Sequence, residues 1–435
     1  MVAHLPNSIR FFNRVRHFPF IPEYCSACNS CIEHHLREKI MPLALWALVI
    51  GAFGIGTTEF VIAGLIPAIA ADFGVSIPMA AHLATSYALG VFVGAPVLII
   101  LGGRTARKTM LASLAGLFVL GNLVTAVAWS LEVAIIGRVI TSLTHGAFFG
   151  IGSVLAAEMV PREKRVSAIA FMFSGLTVAN LVGVPVGTWI SQQFSWQVTF
   201  YAIAAIGLVT VAGVLTLIPA SPKPEAKPIA HEFAAFGNAK VLLAMGITIL
   251  GPAAFFTAIT YIAPMMTEVA GFTDGAVTWL LMVFGFGLFV GNWLGGRYAD
   301  RALMPLLYGT LLAQAVVLFI FHFVASSQLA SVLCIFLMAA FGFATVSPIQ
   351  KLVMDKAKAA GAPTLAAAVN IGLFNLGNAL GAWLGGAVID SGWGFTAPNW
   401  AGGLLSLGGL GLALLSGWLD RRPASGKAAC ATAGN

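Results

Sequence analysis

Glu59 and Arg138 are opposite charges set inside apolar stretches of the chain. A single charge at mid-bilayer costs about 2.5–3.5 kcal/mol or more, so such residues mark ion or substrate pathways by default. Glu59 falls in an apolar stretch over about 43–66 and Arg138 in one over about 131–157. Counted from the same face at 1.5 Å per residue, both lie roughly 10 Å deep. One reading is proton chemistry: Glu59 gains and loses a proton, while Arg138 controls its proton affinity or makes a contact that depends on proton or substrate. The other reading is a static ion pair that fixes helix packing. His145 stands seven residues past Arg138, two helical turns on and on the same face. It reads as a proton relay or as a neutral histidine hydrogen-bonded between helices.

These side chains need membrane helices to hold them. Apolar residues make up 59% of the chain, charged residues 9%, and mean hydropathy is +0.92, so the bilayer is the solvent. The pattern predicts about twelve spans, near 43–66, 79–101, 108–129, 131–157, 166–190, 197–218, 239–264, 275–296, 303–324, 328–352, 364–389 and 399–419. Apart from Arg138, every Lys and Arg falls in a tail, in alternate gaps or within two residues of one, which predicts cytoplasmic N and C termini. That topological bias accounts for the net charge of +7, with the bases scattered over many segments rather than gathered for nucleic acid.

Residues 219–238 differ in kind: Pro219, Pro222, Pro224 and Pro228 alternate with Lys223, Glu225 and Lys227, a linker composition. The linker divides six spans from six. The halves repeat at a nearly constant offset. Gly90-Val-Phe-Val-Gly94 recurs as Gly287-Leu-Phe-Val-Gly291, and Pro67 meets Pro264, Gly74 meets Gly271, Arg104 meets Arg301, and Glu158 meets Asp355, all 197 residues on. Asn180, Gly183 and Gly187 meet Asn378, Gly381 and Gly385 at 198. The expected organisation is a tail over 1–40, a six-helix bundle over 41–218, the linker, a second bundle over 239–421 and a tail over 422–435. Met41 stands directly before the first span and reads as a candidate start.

Several motifs carry a resemblance. Gly56-Thr-Thr-Glu59-Phe60 leads to Pro67 and Asp72-Phe-Gly74; Gly296-Arg297-Tyr-Ala-Asp300-Arg301 matches GxxxDR; Gly102-Gly-Arg104-Thr-Ala-Arg107-Lys108 is its partner loop, with Gly103 in the acid's place. Arg138 precedes Gly146 and Gly150, and Asn180 precedes Gly183, Pro185 and Gly187. Over residues 41–421 the chain resembles the major facilitator superfamily, in the drug:proton antiporter branch of chloramphenicol, sugar and nucleoside exporters. The resemblance implies an all-α integral membrane fold of two pseudo-symmetric six-helix bundles in the bacterial inner membrane. It implies proton exchange through Glu59 and Arg138, with no cofactor and the proton gradient as energy source. It implies a seal at Gly183, Pro185 and Gly187, and cytoplasmic acid–base latches among Arg104, Arg107, Glu158, Arg297, Asp300, Arg301 and Asp355. For those charges the alternative is ordinary solvated loop pairs.

The second half has no charge equivalent to Glu59 or Arg138; position 59 maps to Phe256 and position 138 to Ile335. Proton chemistry is therefore expected in the first half. Phe255, Phe256, Thr260 and Tyr261 read as a mixed lining for a solute or as helix packing. Asn180, Asn370, Asn375 and Asn378 read as cavity amides or as interhelical hydrogen bonds. Cys25, Cys28 and Cys31, followed by His34 and His35, suit a metal or a disordered tail of reduced thiols. HExxH, GxSxG and Walker A motifs are absent, so no enzyme is expected. The expected protein is a monomeric secondary transporter exporting a small organic solute against protons. An importer or uniporter on the same fold, or a non-transporting sensor, is the alternative.

Overall fold

The computed structural model describes residues 43–102, 105–220, 237–360 and 363–421. The cysteine run at 25–31, Arg104 and most of the linker lie outside them. The described residues are helices and turns, with no strand among them. Twelve helices are long and apolar enough to cross a membrane: α1 (Leu43–Phe60), α2 (Ile77–Ala95), α3 (Arg107–Ala126), α4 (Leu131–Glu158), α5 (Arg162–Gln193), α6 (Trp196–Leu217), α7 (Ala239–Ile259), α8 (Ala276–Tyr298), α9 (Leu303–Val324), α10 (Gln328–Ala359), α11 (Val369–Trp393) and α12 (Ala397–Arg421). The number and order match the spans expected from hydropathy.

The first span of each half is broken, which hydropathy does not show. α1 stops at Phe60, the chain turns at Val61, and a shorter helix runs over Ile62–Phe73. α7 stops at Ile259, turns at Thr260 and Tyr261, and resumes over Ile262–Pro264 before a π-turn at Met265–Val269. Pro264 gives one cause: its ring crowds the carbonyl four residues back, on Thr260, and it lacks an N–H for that carbonyl. Beyond each break the helix closes on a left-handed glycine, Gly74 at φ 63° and Gly271 at φ 71°. These caps stand 197 residues apart, so the sequence repeat is also a backbone repeat.

Within the first half α4 packs on α2 and α3, and α6 on α3; within the second, α7 packs on α11 and α12, α8 on α10, and α9 on α12. The halves meet where α11 crosses α2 and where α5 crosses α8. Small residues set these distances. A Cβ on Gly381 of α11 would strike the Ala253 carbonyl of α7, one on Gly291 the Ala340 backbone of α10, and one on Gly285 the Asn180 backbone of α5. Gly90 and Gly94 likewise pack on Ser142 and Leu143 of α4.

The two ends of the bundle differ in charge. The helix ends and turns on one side carry Arg107, Lys108, Arg162, Lys164, Arg165, Arg297 and Arg301. The opposite end carries Asp72, Glu132, Glu268, Asp274 and Asp390, and among the described residues no Lys or Arg. They are called the basic end and the charge-poor end below.

Gly381→Val should destabilise the purified protein by about 1–3 kcal/mol or more, because backbone rather than a flexible side chain blocks the new atoms. Gly309→Ala, which meets open space, should stay within about 0.5 kcal/mol of wild type. Thermal unfolding in detergent reads both.

Candidate functional site

The site begins with the end of α1. The last carbonyls of a helix lose their intrahelical donors, and Thr58 lies in that final turn. Arg138, fully buried on α4, reaches across: its Nη1 donates to the Thr58 carbonyl at 2.8 Å and to the Thr58 hydroxyl at 3.0 Å, and its Nε donates to the Leu83 carbonyl at 3.4 Å. A cation at a helix C-terminus is also favoured by the helix dipole. The guanidinium lies 4.2 Å from the ring centre of Tyr87 on α2, a cation–π contact, with Phe200 of α6 at 5.9 Å. The Thr58 hydroxyl passes its own hydrogen to Asn122 on α3 at 2.9 Å. Nη2 of Arg138 has no hydrogen-bond partner among the described residues.

The structure brings Glu59, Arg138 and His145 into one buried cluster, but Glu59 and Arg138 do not form a direct pair. No ion pair joins Glu59 to Arg138 among the described residues, so the static pair read from sequence is corrected. The reason is geometric: the guanidinium is committed to the backbone of residue 58 and the ring of Tyr87. The nearest basic group to Glu59 is His145, whose Nδ1 is 3.9 Å from the carboxylate. That same nitrogen lies 3.1 Å from the Tyr87 hydroxyl. Bare, Nδ1 accepts from the hydroxyl; protonated, it can donate to the hydroxyl oxygen or to Glu59. Tyr87 therefore touches both Arg138 and His145, and all four groups are buried. Sequence reasoning missed Tyr87, Thr58 and Asn122. A tyrosine in an apolar span needs a partner for its hydroxyl, and that was the available signal.

α5 grips this turn of α1. Its N–H pattern slips to a π-turn over Ala179–Gly183, where Val184 donates back to the Ala179 carbonyl. Pro185 follows directly, and its missing donor and ring crowding account for the slip. A Cβ on Gly183 would strike Thr57 and Phe53, and one on Gly187 would strike Val61. The two glycines thus seat on α1 either side of Glu59.

The amides separate. Asn370 accepts from Thr248 at 2.8 Å, an interhelical bond between α11 and α7. Asn180 and Asn375 each donate to a carbonyl one turn back on their own helix, at 3.0 Å, leaving Oδ1 without a partner. Asn378 has no protein partner for either polar atom. In the second half Phe255, Phe256, Thr260 and Tyr261 are buried. Thr260 bonds its own helix at the Phe256 carbonyl, and Tyr261 donates to the Ala382 carbonyl at 2.8 Å.

At the basic end the pairs Arg107–Glu158, Asp300–Lys351 and Asp420 with Lys240 and Lys356 each lie within one half. Arg107 holds both carboxylate oxygens of Glu158, at 2.5 and 2.6 Å. The repeat does not copy that pair. Asp355 has neither Arg297 nor Arg301 as an ion-pair partner among the described residues; instead Asp300 pairs with Lys351 at 2.9 Å, and Arg297 lies over Trp293 at 5.6 Å. Met304 stands where the first half has Arg107, and Asp300 where it has Gly103, so the base of the first pair has no counterpart and an acid stands four residues before its place. Asp420 gathers Lys240 and Lys356 in the same half. Arg104 lies outside the described residues.

The model of the Major Facilitator Superfamily matches residues 48–373. The inner membrane transport protein YdhP of Escherichia coli (strain K12) is 42% identical over 381 residues, 87% of this chain and 96% of that protein. A chloramphenicol resistance protein of Streptomyces lividans is 34% identical over 374 residues, 84% of this chain and 94% of its own. Among solved structures, a D-xylose-proton symporter superposes with a TM-score of 0.69 at 17% identity, over 86% of this chain and 96% of that one. At that identity the likeness is one of fold.

Tyr87→Phe deletes the hydroxyl contact to His145 and keeps the ring on Arg138; it should cost about 1 kcal/mol. Tyr87→Leu also removes the cation–π contact and should cost about 2 kcal/mol more in this desolvated setting. Equal losses in the two variants, read by thermal unfolding, would show that the ring contact contributes nothing.

Proposed function

The chain belongs to the major facilitator superfamily, as a multi-pass bacterial inner-membrane transporter of small solutes and not an enzyme, and from that premise we propose that it exports a small organic solute in exchange for protons. The observation that carries the reading is the buried cluster of Glu59, His145, Tyr87 and Arg138, confined to the first half. Glu59 is the proton carrier in this scheme. It is the carboxyl of the cluster, it makes no direct ion pair with Arg138, and it stands two residues before the turn at Val61. His145 is the neighbour with which it can exchange a proton, and Tyr87 and Arg138 hold that neighbour's geometry.

The two halves divide the work. The first binds the proton; the second offers an apolar surface with few polar groups, which suits small amphipathic solutes. Drug-like molecules, sugars and nucleosides all fit that description, and the chloramphenicol resistance protein among the relatives favours the first. Asn180, Asn375 and Asn378 present unpaired amide atoms on the two helices that cross between the halves, the places where a solute would be read. Six-plus-six organisation about the linker, with the basic end in the cytoplasm, follows the positive-inside rule. The gating residues act between two states of similar energy, so small contacts such as Arg107–Glu158 and Asp300–Lys351 are enough to bias them.

Purified protein in vesicles loaded with a pH-sensitive dye, given chloramphenicol as probe under an imposed pH gradient, tests the scheme. Wild type should move protons when the probe is added, and Glu59→Gln should abolish that movement. Counterflow of the probe without a gradient should survive in Glu59→Gln. Probe transport that ignores the gradient in wild type would instead support the uniporter.

A further inference from the structure

Phe60 follows Glu59 and projects about 100° further round the helix, away from His145 and across the seam between the halves. Its ring sits in a cup of second-half rings: Phe256, Phe284 and Phe343, with centroids at 5.6, 6.4 and 6.2 Å. Phe255 backs the cup, 5.6 Å from Phe284 and 5.8 Å from Phe343. Phe60, Ala63 and Val184 are the first-half members of a buried cluster otherwise made by the second half. The repeat adds a further relation: Phe256 stands where the second half would carry Glu59, so Phe60 packs on the residue that replaces the acid.

Contacts between the halves continue from Phe60 towards the charge-poor end. A Cβ on Gly64 would strike Leu281, and one on Gly386 would meet Pro78. Gln192 donates to the Asp274 carbonyl at 2.6 Å and accepts from Thr278 at 2.9 Å. At the basic end the ion pairs described above hold each half to itself. The halves are thus in contact from Phe60 to the charge-poor end, and they also touch on the basic side of it, where a Cβ on Gly372 of α11 would meet Phe92 of α2.

We propose that Phe60 is the positioning residue that couples the proton on Glu59 to the gate at the charge-poor end. The proposal rests on the reading of Glu59 as proton carrier. Both side chains belong to the last turn of α1, ahead of the turn at Val61, with no flexible segment between them. A shift of Glu59 relative to His145 therefore moves Phe60 in its cup, and withdrawal of the ring parts the seam. The titratable and charged groups facing Glu59 are His145 and Arg138 from α4 and Tyr87 from α2. α5 meets this turn through Gly183 and Gly187, and the second half meets it through phenylalanines, none of which titrates.

Spin labels at Ala71 and Thr273, exposed at the charge-poor end of the two halves, report the gate by double electron–electron resonance. The full-length protein, with native cysteines replaced, is measured in nanodiscs at acid and alkaline pH. Wild type should show a separation that responds to pH. Phe60→Ala should raise the open share about tenfold or more at both pH values, as expected for a large-to-small change in a packed cluster, and should lose the pH response. Phe284→Ala removes the cup from the other side and should do the same, which keeps the proposal falsifiable where Phe60→Ala does not assemble. Wild-type separations and pH response in the alanine variants overturn it. The two failures are distinguishable. Alanine variants that behave as wild type, with the response lost in Glu59→Gln, overturn the role of Phe60 alone. A response that survives Glu59→Gln overturns the proton-carrier reading and the coupling with it.

Discussion

A guanidinium stays charged where other side chains can neutralise, and Arg138 is buried inside an apolar bundle. The rest of the first half is arranged around that constraint. Its charge is met by a helix end rather than by an acid: α1 stops at Phe60, and the exposed carbonyl of Thr58 takes the donor that the helix no longer supplies. Hydrogen bonds to a charged group contribute about 1.5–3 kcal/mol each and a desolvated cation–π contact about 2 kcal/mol. Those terms are of the order of the insertion cost. Breaking α1 and burying Arg138 are two halves of one solution, and the consequence is a carboxyl at position 59 left for other chemistry.

Much of this was legible in the sequence because burial and charge leave strong marks. Twelve apolar runs, the alternating basic gaps and the 197-residue repeat give the fold class, and two intramembrane charges at matching depth point to the site. The partners of those charges were not legible. Opposite sign and equal depth suggested a pair between Glu59 and Arg138, yet depth says nothing about which way a side chain turns at the end of a helix. Tyr87 and Asn122 look like two more polar residues in apolar spans, and only the meeting of α2 with α4 and of α3 with the end of α1 shows whom they serve. The breaks at Val61 and at Thr260–Tyr261 are invisible to hydropathy, since both sides of each break are apolar.

The repeat misled at the basic end for a related reason. An offset preserves position, not sign. Glu158 and Asp355 are equivalent acids, but Arg107 has Met304 as its counterpart and Gly103 has Asp300. The second half therefore builds its tether from an acid just after α8 and a base on α10, Asp300 with Lys351, where the first uses a base at the start of α3 and an acid at the end of α4. A pair can be kept while both of its members move.

The asymmetry between the halves reaches the centre of the molecule in the same way. At the repeat position of Glu59 the second half carries Phe256, and the ring that packs on it, at 5.6 Å, is that of Phe60 beside the acid. The acid turns inward to His145 in its own half. The residue after it turns outward to Phe256. α5 meanwhile holds the same turn at Thr57 and Val61 through Gly183 and Gly187, and the π-turn imposed by Pro185 is what lets those glycines fall on that face. A helix end pinned on one side by α5, capped by Arg138 and plugged by its own Phe60 has little freedom to respond by bending elsewhere. The break lies two residues past Glu59, where Arg138 rather than the helix holds the Thr58 carbonyl and where Phe60 touches the second half.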